Sequence, residues 1–145
     1  MTTPSRTPPP KLSVGPFHFT STGVRIAGKP ELEEWRGPLH FALWCQKAGP
    51  WWIGDLLNAG DDKFGEAFYQ MCGGAVSPEM LNRYASVSRR VPIGNRLASQ
   101  SWSAHAAVAR LSGDLQRRFL REAEKRGWSS EELRAKVRDY VRDKR

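Results

Sequence analysis

Apolar residues recur at three- and four-residue spacings over most of this chain, and at two-residue spacing only near its start. Alternation appears in Phe17-His18-Phe19-Thr20 and Gly23-Val24-Arg25-Ile26, with Ser21-Thr22 between them, which predicts a short β-hairpin. Before it, residues 1–16 carry five prolines and little apolar content, the pattern of a disordered, polyproline-like arm. After it the period becomes helical.

Pro30 followed by Glu31, Glu33 and Glu34 predicts a helix start, with proline in the first turn and acids at the positive end of the dipole. That helix is expected over 32 to about 46, broken or kinked at Gly37-Pro38, with Leu39, Leu43 and Trp44 facing a core. A second helix is expected after Gly49-Pro50, with Trp52, Ile53, Leu56 and Leu57 on its buried face. Asp61-Asp62 would cap a third over 63 to about 72, ended by Gly73-Gly74.

Val76-Ser77-Pro78-Glu79 then sets the clearest start in the chain: Ser77 as N-cap, proline at the first helical position, glutamate in the first turn. This helix carries Met80, Leu81, Tyr84 and Val87 inward and stops before Pro92. Residues 92–100 read as a polar loop. Three further helices are expected over about 101–111, 114–126 and 130–143, the second closed by Gly127 and the third capped by Ser129 or Ser130. The predicted architecture is all-α: residues 17–145 form one multi-helix domain with a short N-terminal hairpin.

Charge changes this picture more than composition does. The net charge is +8, but residues 1–82 hold 7 Lys/Arg against 8 Asp/Glu, whereas 83–145 hold 16 against 7. A basic C-terminal half points to a polyanion partner. The spacing around Gly73-Gly74 suits a helix-turn-helix over about 63–91, in which residues 64–72 support the helix that begins at Pro78. At 100° per residue, the polar face of that second helix holds Glu79, Asn82, Arg83, Ser86, Arg89 and Arg90. Ser77, Glu79, Asn82, Arg83 and Ser86 are therefore the candidate readers of base edges; asparagine and arginine can each make bidentate contacts there. Arg89, Arg90, Arg96, Arg134 and Arg138 are the candidate phosphate contacts.

Those residues carry a resemblance. Val76 to Tyr84 followed by Val91-Pro92, together with Ser101-Trp102-Ser103-Ala104-His105-Ala106, resembles the central helix-turn-helix of ParB/KorB-type proteins. Trp51-Trp52-Ile53-Gly54-Asp55, Lys63-Phe64-Gly65-Glu66, the run Leu81, Tyr84, Val87, Arg89, Arg90, and Ala123-Glu124 with Gly127-Trp128-Ser129 and Glu132-Leu133-Arg134 are similar to the LmbU-like group of actinobacterial pathway regulators. The resemblance covers about residues 23–138. It implies a transcriptional regulator binding double-stranded DNA, with activation and repression both open; a cytoplasmic, nucleoid-associated place is expected from the two isolated cysteines and the lack of a long apolar run.

Other chemistry is sparse. Cys45 and Cys72 lack metal-ligand spacing, and His18, His40 and His105 form no ligand motif. No nucleophile elbow, phosphate loop or dinucleotide fingerprint occurs, so no enzyme, cofactor or metal is expected. No apolar run is long enough for a membrane span. In the last helix Leu133 and Val137 read as core, and Tyr140 and Val141 as a homodimer seam. Two other functions fit the same residues: a partition or nucleoid-type DNA binder, and a basic module that meets RNA or an acidic protein.

Overall fold

The computed structural model describes residues 12–20, 22–64, 74 and 76–144, without the side chains of 62–64. Among the described residues the fold is mainly helical, with five α-helices and one small antiparallel sheet. Its contacts divide the chain into two compact units, residues 1–46 and 47–145.

In the first unit, strands β1 (Leu12–Val14), β2 (Phe17–Thr20) and β3 (Gly23–Ile26) pair in the order β1-β2-β3. The predicted hairpin is β2–β3, in the register Phe17↔Ile26 and Thr20↔Gly23. The extra strand corrects the expectation of a disordered arm up to residue 16. Leu12-Ser13-Val14 itself alternates, and it completes a ladder on β2 with Leu12 opposite Phe19. Residues 1–11 lie outside the described residues.

Helix α1 (Leu32–Phe64) opens with Glu33 and Glu34 in its first turn, as its acids predict, and runs unbroken through Gly37-Pro38, Gly49-Pro50 and Asp61-Asp62. The expected breaks are therefore corrected. Each proline removes one N–H from the ladder while its neighbours keep theirs. Pro38 is also buried, packed among the strand side chains. Asp61 and Asp62 fall near the end of a helix already running rather than at the start of a new one. Continuity also resets the phase. Pro38, Phe41 and Cys45 turn inward, Phe17 stands edge-on to Trp35 with centroids 5.0 Å apart, and Phe19 meets Phe41 at 6.1 Å. Leu39, Leu43 and Trp44, expected in the core, are instead 57%, 55% and 59% exposed.

The second unit begins with the latter half of α1. Of its expected apolar stripe, Leu57 is buried and Ile53 half-buried, joining Leu81 and Ala85, whereas Trp52 and Leu56 are exposed. Helix α2 (Pro78–Arg90) starts where predicted: the Ser77 hydroxyl accepts from the Met80 N–H at 3.2 Å. A short 3₁₀ turn (Ile93–Asn95) follows. Helices α3 (Trp102–Val108), α4 (Gly113–Arg126) and α5 (Ser130–Asp143) then enclose a second core of Ala104, Val108, Leu120, Ala123, Leu133 and Val137. Serine caps all three helices: Ser101, Ser112 and Ser129, the last in a reciprocal capping box with Glu132. Gly127 closes α4 at φ +68°, where a side chain would be strained. At the edge of this core Tyr140 meets Phe119 edge-on at 5.5 Å, and Val141, half-buried like Tyr140, packs against the cluster.

Candidate nucleic-acid interface

Helix α2 is held by a joint that the Trp51-to-Asp55 segment provides. A Cβ on Gly54 would lie 2.2 Å from the Ser88 hydroxyl and 2.3 Å from the Tyr84 carbonyl oxygen, so only glycine allows α1 and α2 to approach this closely. Below the crossing, Asn58 donates to the Ala85 carbonyl at 2.9 Å and accepts from Arg89 at 3.1 Å.

The end of α2 is closed by side chains from the following loop and from α4. Pro92 has no N–H to offer the Ser88 carbonyl, and Arg96 supplies it at 2.9 Å. Arg96 also donates to the Val91 carbonyl, makes two 2.9 Å bonds to the Asp55 carboxylate, and lies 4.1 Å over the Trp51 ring. This side chain, placed among the phosphate contacts by sequence, points into the fold with Nε and both terminal nitrogens hydrogen-bonded and its guanidinium over an indole. The reason is local: a loop that looked polar is built around one inward arginine.

Gln116 has a comparable place. Fully buried on α4, its amide donates to the carbonyls of Arg90 at 2.9 Å and Leu111 at 3.0 Å, with Ala109 at 3.3 Å, and its oxygen accepts from Asn95. It thereby fixes the backbone at Arg90 and on both sides of Arg110.

His105 is buried on α3. Its Nε2 accepts from the Leu97 N–H at 2.9 Å, so Nδ1 carries the proton it donates to the Ser101 carbonyl at 2.7 Å. Trp51 stands edge-on to it at 5.0 Å. Burial pushes its pKa below the usual histidine value, opposed by the bond to Ser101 and reinforced by the charges of Arg96 and Lys47.

With α2 so fixed, Ser77, Glu79, Asn82, Arg83, Ser86, Arg89 and Arg90 are all exposed. They divide into three groups. Ser77, Glu79 and Asn82 lie toward the N-terminal end. Arg89 is tied back to Asn58. Arg83, Ser86 and Arg90 border a groove of about 380 Å³ whose floor is Ala106, Ala107 and Ala109, and whose other cations are Arg110 and Arg134. Small side chains on α3 leave room there, and among the described residues none of these four arginines is in an ion pair. Arg83 also lies 5.4 Å over the Trp102 ring, itself edge-on to Tyr84. Arg138 is exposed one turn beyond Arg134 on α5.

Sequence reasoning missed Arg110. It lies inside the helix expected to continue to 111, whereas α3 ends at Val108 and Arg110 stands at the groove edge beyond it. Of the supporting helix expected over 64–72, Phe64 is the last residue of α1 and residues 65–72 lie outside the described residues. Among the described residues no three His, Cys, Asp or Glu side chains gather as a metal site, and no helix is long and apolar enough to cross a membrane.

No family model matches the chain, and no solved structure does. Among curated proteins the chain is similar to Transcriptional regulator NovE of Streptomyces niveus, 31% identical over an alignment of 133 positions that covers 85% of this chain. The chain spans 61% of that relative's length.

Proposed function

We propose that this protein is a transcriptional regulator that binds double-stranded DNA and offers the exposed face of α2 to the major groove. The observation that carries the reading is one capped, well-anchored helix presenting Glu79, Asn82, Arg83 and Ser86 outward beside an uncompensated basic groove. The similarity to a protein named as a transcriptional regulator supports it. So does the geometry of asparagine, whose amide matches the donor and acceptor pair of adenine in that groove. No enzymatic role is part of this reading, and the site it describes needs no cofactor.

Selection of bound fragments from a random duplex pool tests it. An enriched motif is the expected result. Asn82→Ala should then lower the preference for one base pair in that motif by about 1–3 kcal/mol, while leaving binding to unrelated duplexes unchanged. A pool that yields no motif, with tight binding to single-stranded RNA or to an acidic protein, would sink the reading. A footprint that spreads along the duplex without a discrete site would replace it with a partition or nucleoid-type role.

A further inference from the structure

We infer that the groove between α2, α3 and α5 is a clamp for the sugar–phosphate backbone, in which Arg83, Arg90, Arg110 and Arg134 grip phosphates and carry no base sequence. The inference rests on the duplex-binding reading above, and it moves Arg83 from the base readers to the phosphate contacts.

Three features lead to it. First, four guanidinium groups line one groove and, among the described residues, no carboxylate pairs with any of them. Elsewhere Arg36, Arg96, Arg117, Arg126 and Arg142 each meet a carboxylate. Like charges gathered without counter-charge are a standing electrostatic cost that an anion relieves.

Second, two of the four are held in place before any ligand arrives. Gln116 bonds the Arg90 carbonyl directly and the carbonyls on either side of Arg110, so one buried amide sets both backbones. Third, Arg83 lies over the Trp102 ring on the groove side of α2, alongside Arg90 seven residues later, rather than beside Asn82. Guanidinium groups match phosphate oxygens bidentately, and a floor of alanines has no donors or acceptors with which to tell one base from another. Phosphate contacts of this kind position a protein on the duplex and give affinity its salt dependence.

The test measures affinity against salt for the full chain on two probes, the duplex enriched from the random pool and a scrambled duplex of equal length. Arg110→Ala and Arg134→Ala should each weaken binding to both probes by the same factor. Each should also flatten the slope of log affinity against log salt by about 0.9 per lost phosphate contact. Arg83→Ala should do the same, whereas Asn82→Ala should change only the ratio between probes. Unchanged slopes in Arg110→Ala and Arg134→Ala, or losses confined to the enriched duplex, overturn the clamp and leave the duplex-binding reading standing. A parent protein that shifts neither duplex at low salt overturns both. Thermal melting of each variant, expected to match the parent, separates lost contacts from lost fold.

Discussion

Two sets of arginines around α2 are used in opposite ways. At the joint with α1, Arg96 is only 14% exposed and is met by a carboxylate, two carbonyls and an indole face. At the groove, Arg83, Arg90, Arg110 and Arg134 stand together with alanines below them and, among the described residues, no carboxylate in an ion pair with any of them. The difference teaches how to read a basic sequence. A cation whose every face is answered from within the chain contributes to stability. Cations gathered without answer cost stability and are kept for something outside the molecule.

Breaking the joint should have the largest effect. Arg96→Ala leaves the Ser88 and Val91 carbonyls without their donor and Asp55 without its partner. We expect a loss of about 3–4 kcal/mol in stability, short of the upper limit for a buried pair because Asp55 is 42% exposed. Arg96→Lys should recover little, since an ammonium cannot form the paired bonds or stack on Trp51. Urea unfolding of the three proteins checks this; a loss under about 1 kcal/mol would place Arg96 with the surface arginines. Gly54→Ala comes next, at about 2–3 kcal/mol, the upper part of the range for overpacking. Adding Ser88→Ala should not rescue it, because the Tyr84 carbonyl remains 2.3 Å from the new Cβ and, being backbone, cannot rotate away.

How far this was legible in the sequence depends on how local each cause is. The start of α2 is written in four consecutive residues, Val76 to Glu79, and Ser77 caps it as those residues predict. The ends of α4 and α5 are equally local, in Gly127 and in Ser129 with Glu132. Helix α1 failed for the opposite reason. Its glycine–proline pairs are local stop signals, yet the helix runs through both; at the first, Pro38 and Phe41 pack against the strands, with Leu39 and Leu43 turned outward. The candidate site divides the same way. Exposure of Asn82, Arg83 and Ser86 follows from helical period alone. The inward turn of Arg96 depends on Asp55, 41 positions away, and Arg110 shares the groove with Arg134, 24 positions away, through tertiary packing that no spacing rule reveals.

His105 gives a smaller effect and ties the joint to pH. The folded chain holds it neutral, with Nε2 accepting from Leu97, while the unfolded chain leaves it near the ordinary value of about 6.5. Below that value the unfolded state binds the extra proton and the folded state resists it. The stabilisation is therefore full above about pH 6.5 and is lost as pH falls through the lower folded value. Glutamine can donate to Ser101 and accept from Leu97 without titrating, so His105→Gln should flatten the melting temperature between about pH 7 and pH 5 relative to the parent. Glu122, held below the usual carboxylate range by its bond to Arg126, keeps its contribution throughout this window and loses it only at more acid pH, so it does not confuse the comparison.

The smallest change in stability is expected where the sequence is most basic, and its sign decides the contrast. Arg110→Ala and Arg134→Ala remove no ion pair, so nothing is orphaned. Each also relieves repulsion among the remaining groove cations. Both variants should melt at or slightly above the parent, within about 0.5 kcal/mol. Any gain should be visible at low ionic strength and vanish near 1 M salt, where the Debye length falls to about 3 Å. A salt-independent loss above about 1 kcal/mol in either variant would mean that the groove arginines hold the fold together as Arg96 does. The distinction between an answered cation and a waiting one would then fail for this molecule, and with it the reason for looking to the groove for a partner.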